Sequence, residues 1–412
     1  MKTSKFLSII CLIAFFSLSL HTSAQQAIAR STIRIDNEKE KNIYKSKDGK
    51  KLQGEYKIFD SDDSYQILSF NDGIADGVYA SYTRREQLLE KGSFLKGEKH
   101  GEWEIYYTSG YLNYIATYDK GIADGVWKYF KPRIDTPSKE EVYKNNDKIE
   151  EREYFSDGNI KSVSLYKDNL KTGTWKTYYR TGETETITAY SGNLKNGAFE
   201  SYYSNGQLHQ KGTHKDDKPI GDWVSYHQSG NLSTKVSTDP SGPFYIYEAY
   251  YDNGNPKEKG IALDSYLSSH DKTRYKYYEN GKPESEINYE MGRKTGPAKE
   301  YYENGNPKKI LTYKNGLKVG KYEQYYETGK PKEIITYSLE KTNEYGQEYL
   351  KDGIYKSFYE NGNLKEEGAY REGIKEGIWK SLKETGEPYF IERYENGELI
   401  ENISKNEYHK YL

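Results

Sequence analysis

A chain of 412 residues with 30% charged residues and a net charge of −2 has no basic excess with which to grip a nucleic acid. Only 34% of it is hydrophobic, yet 45 tyrosines help lift the aromatic share to 15%, which excludes a disordered chain and implies a thin aromatic core. A single cysteine, Cys11, excludes a disulfide framework within the chain.

Residues 1–24 read as a secretory signal peptide: Lys2 and Lys5 give a positive start, Phe6 to Leu20 an apolar run, and Thr22, Ser23 and Ala24 small residues for cleavage. The apolar run is too short to span a bilayer, which takes about 20 residues. The expected mature chain is thiol-free, has a net charge of −4 and has no transmembrane segment. Export then places it in the periplasm, at the cell surface or outside the cell. Residues 25–53 are polar and read as a linker with an N-terminal cap.

From 54 to 401 the chain repeats a unit whose clearest copy is GPAKEYYENGNPKKILTYKNGLKVG, Gly296 to Gly320. Copies open at 54, 77, 101, 125, 149, 173, 197, 221, 245, 272, 296, 320, 353 and 377, mostly 24 residues apart, and all but Ile149, Tyr245 and Lys272 open on Gly. Longer loops are expected at 132–148, 239–244, 263–272 and 338–352, and residues 402–412 form a C-terminal tail.

Within each unit, pairs such as Asn205-Gly206, Asn304-Gly305 and Asn361-Gly362 separate two aromatic runs. Asn-Gly in that setting signals a hairpin closed by a type I′ turn. Centring the turn on Asn304-Gly305 pairs Tyr302 with Pro307 and Glu300 with Lys309. A second turn, as at Asn315-Gly316, returns the chain to the next hairpin. The expected fold is therefore all-β: an elongated, open antiparallel meander of tandem hairpins of about 24 residues, stabilised by neighbour stacking.

Alternation along the strands divides the side chains between two faces. In the Gly101 unit, Trp103, Ile105, Tyr107, Leu112, Tyr114, Ala116 and Tyr118 fall on a core face. All five tryptophans, Trp103, Trp127, Trp175, Trp223 and Trp379, stand two residues after an opening Gly and read as a structural aromatic core. The polar face carries one Tyr per hairpin: Tyr106, Tyr154, Tyr178, Tyr202, Tyr226, Tyr250, Tyr277, Tyr301 and Tyr325. As a stripe these tyrosines are candidates for partner binding, since Tyr offers a large contact area with a polar tip.

The opening Gly, the aromatic two residues on, Tyr-Tyr, Asn-Gly, a later Tyr and Lys-Asn-Gly together resemble the MORN-variant repeat, as found in YwqK-type antitoxin proteins. The resemblance implies an all-β array used for interaction, with antitoxin or immunity activity in some relatives, and supplies no catalytic residues.

Chemistry finds little purchase in the remaining motifs. His214 and His227 read as repeat variants, replacing the late Tyr and the second Tyr of the pair, and His209 points to the other face, so no metal site is expected. Glu279, Glu303, Glu327 and Glu360 recur as turn flanks, unlike the unique, tuned position of a catalytic acid. The run from Asp60 to Ser64 lacks the Gly of a calcium loop, and Gly316 to Gly320 is one residue short of a phosphate loop. The sequence thus predicts a non-enzyme without cofactor or metal that binds a protein partner, with a glycan or the cell envelope as the alternative ligand.

Overall fold

The computed structural model describes residues 26–238, 244–264, 267–342 and 348–412; the expected signal peptide lies outside them. Among these residues, 31 strands form an open, mostly antiparallel sheet that follows chain order from Gly54–Phe59 to Glu398–Asn402. Among the described residues the one parallel pairing is Gln26–Ala29 against Gly54–Phe59. A separate hairpin, Ile33–Glu38 with Lys41–Ser46, belongs to the N-terminal cap.

The chain divides into two compact units, one of residues 1–160 with 166–169, the other of 161–165 with 170–412. In the first unit, Leu52, Ile58, Leu68, Phe70 and Ala75 are buried together, and Ile33 and Tyr44 of the cap hairpin pack against them. A cavity of about 460 Å³ lies there, lined by Tyr44, Tyr79, Phe94, Trp103 and Lys99 among others. In the second unit Ala298, Leu311, Tyr322 and Ile335 are buried together.

Hairpin geometry corrects the expected turn. Tyr301, not Tyr302, opposes Pro307, while Glu300 does oppose Lys309. Gly305 N–H donates to the Tyr302 carbonyl and Tyr302 N–H to the Asn306 carbonyl. The loop is therefore a type I turn closed by Gly305 at φ +95°, with Asn304 outside the positive-φ region. The type I′ turn occurs at the unit's other end. There Lys314 pairs with Leu317, and Asn315 and Gly316 both have positive φ, at 50° and 87°.

Three expected loops also contain strand. Residues 132–148 include Lys139–Lys144, paired with Gly125–Tyr129 on one side and Asp147–Tyr154 on the other. His270–Tyr277 begins inside 263–272, and Pro331–Thr342 and Tyr349–Phe358 extend into 338–352.

Both rims of the sheet are tied sideways. At one rim, the second Tyr of each pair donates its hydroxyl to the backbone carbonyl one hairpin on: Tyr203 to Tyr226 at 2.8 Å, Tyr278 to Tyr301 at 2.7 Å, Tyr302 to Tyr325 at 2.8 Å. The Asn304 and Asn306 amides reach the Glu327 carbonyl at 2.8 and 2.9 Å. At the other rim, Gly316 N–H donates to Lys294 O at 2.8 Å. Backbone groups that a lone hairpin would leave to water are thereby satisfied by its neighbour. Among the described residues no helix is long and apolar enough to cross a membrane, a finding silent on β-barrels.

Candidate interaction surface

On the core face, size complementarity organises the tryptophans. Trp103, Trp223 and Trp379 lie over Gly92, Gly212 and Gly368, where an added Cβ would stand 2.3 to 2.4 Å from the nearest ring atom. Eleven residues before Trp127 and Trp175, the corresponding places are held by Ala116 and Ser164. Trp103 and Trp379 are 0% and 1% exposed, whereas Trp127, Trp175 and Trp223 are half-buried. Trp103, Trp127, Trp175 and Trp379 each donate an indole N–H to a backbone carbonyl ten residues earlier, at 3.0 to 3.2 Å.

Over several rings sits a lysine that the sequence reading missed, two residues before the opening Gly. Lys99, Lys171 and Lys375 place Nζ 3.8, 4.4 and 4.0 Å from the centroids of Trp103, Trp175 and Trp379. The ammonium meets the negative ring face while its stem covers apolar surface. Its sequence signal was present in LKTG, LKVG and IKEG.

Charged groups replace aromatics at two points of the same face. Glu141, opposite Trp127, is 6% exposed and accepts from Tyr129 Oη at 2.6 Å, Tyr143 Oη at 2.9 Å and Lys139 Nζ at 2.9 Å. Burial pushes its carboxyl up, but those donors outweigh burial and hold the pKa at about 2. Arg274, at the tryptophan position of its repeat, grips Glu258 with two bonds of 2.8 and 2.9 Å, and Tyr247 adds a third at 2.5 Å. Burial also raises Glu258, and those bonds more than reverse it.

The tyrosine stripe lies on the opposite face, and Tyr106, Tyr178, Tyr202, Tyr226, Tyr250, Tyr301 and Tyr325 are all half-buried. Several phenols are held by a glutamate two residues earlier on the same strand: Tyr202 to Glu200 at 2.5 Å, Tyr250 to Glu248 at 2.8 Å, and Tyr106 to Glu104. For Tyr202 and Tyr250 this bond is the first cause of a raised pKa, whereas for Tyr337 and Tyr355 on the core face the first cause is burial. Burial is also the first cause of the raised pKa at Tyr106 and Tyr325 of the stripe, so what sets the row apart is the carboxylate that holds several of its phenols.

The histidines occupy three separate settings. His209 packs on Tyr203, His214 meets Phe199 and Trp223 edge-on, and His227 Nε2 takes the place of a tyrosine hydroxyl by donating to Tyr250 O at 2.9 Å. Among the described residues no group of three or more His, Cys, Asp and Glu is placed to hold a metal ion. In the Asp60 to Ser64 turn, Asp62 accepts from the Ser64 N–H and hydroxyl and closes on its own loop.

Seven stretches, residues 99–120, 147–168, 195–216, 271–291, 294–315, 318–338 and 351–372, match the family described as MORN repeat variant. The chain therefore carries tandem repeats of that kind. No curated protein matches it. The crystal structures of TcdB2-TccC3 and TcdB2-TccC3-Cdc42 align over 87% and 89% of this chain at 10% identity, with TM-scores of 0.16 and 0.14. The chain spans about a quarter of those chains, 26% in each case, and scores this low carry no argument.

Proposed function

We propose that this chain is an exported, non-enzymatic repeat scaffold that binds a protein partner through its tyrosine stripe. One observation carries the reading: hairpin after hairpin presents a half-buried Tyr at the same position, several with the phenol already held by a neighbouring glutamate. Pre-ordered aromatic side chains lose little entropy on binding, and a few such anchors supply most of an interface's energy. The non-enzymatic part rests on the sequence, where carboxylates recur with the repeat and occupy no unique position. Export rests on residues 1–24.

The deciding experiment replaces Tyr178, Tyr202 and Tyr226 together by Ser. Affinity capture from envelope extract identifies the partner, and melting and affinity are then measured on wild type and variant. The fold should persist while binding weakens, by about 2 kcal/mol per anchor. Unchanged affinity in a folded variant would remove the stripe from the interface. Processing after Ala24, read by N-terminal sequencing of the secreted product, tests export. The YwqK-type likeness adds an antitoxin-like or immunity role as an alternative, favoured by a toxin gene beside its own.

A further inference from the structure

We propose that the core face of the hairpins from Gly173 to Thr238 binds a neutral, extended polysaccharide, with a sugar ring stacked on Trp223. This does not rest on the tyrosine stripe, which occupies the other face.

Trp223 lies over Gly212 as Trp103 lies over Gly92 and Trp379 over Gly368. The outer side of those other two rings is closed by the ammonium groups of Lys99 and Lys375. In the Trp223 repeat the lysine position is Pro219, and among the described residues no lysine stands over this ring; Trp223 remains half-buried. An indole laid on the sheet at Gly212, with His214 edge-on beside it at 4.9 Å and no lysine across it, is a stacking platform for the C–H face of a pyranose. Phe199 extends it, its ring centroid 5.6 Å away and tilted by 31°.

Beside the aromatic row runs a second row that is polar and uncharged. Thr177 faces Thr186, Thr186 faces Ser201, Ser201 faces Gln210, Gln210 faces Ser225 and Ser225 faces Thr234, one residue from each of six consecutive strands. Strands lie about 4.8 Å apart, so the row runs for about 24 Å at right angles to them. Hydroxyl and amide groups both donate and accept, as the hydroxyls of a sugar require. The same row turns ionic further along, with Glu258, then Lys276, and Glu300 opposite Lys309. The charges nearest this row are single and of opposite sign, Lys171 over Trp175 and Glu185, which accepts from the Thr177 hydroxyl at 3.0 Å, so an ionic polymer would find no continuous line of countercharge, whereas a neutral one needs none. The linear row, longer than any single sugar, selects an extended chain.

Affinity electrophoresis of the full chain supplies the test, with barley mixed-linkage glucan, konjac glucomannan and xyloglucan as neutral probes and polygalacturonate as the acidic one. At least one neutral polymer should retard the protein and polygalacturonate should not. Pro219→Lys, which rebuilds over Trp223 the cap present over Trp103, should weaken retardation at least tenfold with melting unchanged or raised. Ser225→Lys should do the same, and its repeat position already carries lysine at Lys276. Should Pro219→Lys melt early, Ser225→Lys decides alone. Migration unaffected by all three neutral polymers, retardation by polygalacturonate alone, or equal retardation of wild type and folded lysine variants would overturn the proposal.

Discussion

At the scale of single residues, the core face depends on which side chains are absent as much as on which are present. Gly368 has ordinary backbone torsions, so an Ala there is penalised only by the Trp379 ring, whose nearest atom would be 2.3 Å from the new Cβ. Gly368→Ala should therefore cost about 1 to 3 kcal/mol through overpacking, and Trp379→Ala about 3 to 5 kcal/mol through the cavity it leaves. Chemical denaturation of both variants checks the pair; a neutral Gly368→Ala would mean that the ring moves aside freely. Glu141 gives a pH signature. Its folded pKa of about 2 lies below the ordinary 4.5, so its contribution is fully present above pH 4.5 and is lost as pH falls from there towards 2. The stability gap between wild type and Glu141→Gln should be constant above about pH 5 and close on acidification. A gap independent of pH would show that the carboxylate adds nothing through its charge. The glycine, alanine or serine eleven residues before each tryptophan stood in the sequence all along. It went unread because the contact crosses from one repeat to the next, and a hairpin considered alone shows only the in-hairpin partners of the indole, such as Tyr190 beside Trp175.

At the scale of the element, the two turns of the unit show what local sequence leaves open. Asn-Gly reads alike at Asn304-Gly305 and Asn315-Gly316, yet only Asn315 adopts positive φ. The difference is register, set by the strands and not by the dipeptide: two residues separate Lys314 from Leu317, whereas five separate Tyr301 from Pro307. Asn304 acts there through its side chain, which accepts from Asn306 N–H and donates to Glu327 O. Face assignment, by contrast, was legible because strand alternation leaves it no freedom once the repeat is aligned. The rim ladder should be measurable one rung at a time. Tyr302→Phe removes only the hydroxyl that donates to Tyr325 O and should cost about 0.5 to 1.5 kcal/mol. His227→Tyr, which restores the usual donor, should be tolerated. Lys272 offers the opposite sign: it stands where other units open on Gly and is held at φ 55°, a conformation costing an L-residue about 1 to 2 kcal/mol. Lys272→Gly should raise the melting temperature, and a fall would show that its exposed side chain outweighs the backbone strain.

At the scale of the whole molecule, stability is expected to vary along the array, because each hairpin leans on its neighbours and not on a common centre. Leu52, Ile58, Leu68 and Phe70 anchor the N-terminal hairpins, and Leu311, Tyr322 and Ile335 anchor later ones. Between Phe130 and Tyr247 the described residues include no fully buried hydrophobic side chain; Ser164 and Thr188 are buried there instead. Each apolar side chain fully removed from water contributes about 1.5 to 3 kcal/mol, while the backbone ladders of the strands from Leu170–Tyr178 to Leu232–Thr238 match those elsewhere. Amide exchange isolates the difference. The strands from 170 to 238 should exchange through local opening well before those around Leu68 or Leu311, although their hydrogen bonds are equivalent. Trp175, Phe199 and Trp223 of these hairpins stay half-buried, so the segment that is cheapest to open keeps aromatic surface to offer a ligand. In Gly368→Ala, exchange should quicken in the hairpins flanking Trp379 and stay unchanged around Leu68. Uniform protection along the chain, or acceleration everywhere from that one substitution, would show that the array unfolds as a single cooperative body and that its thin middle is held by something other than apolar burial.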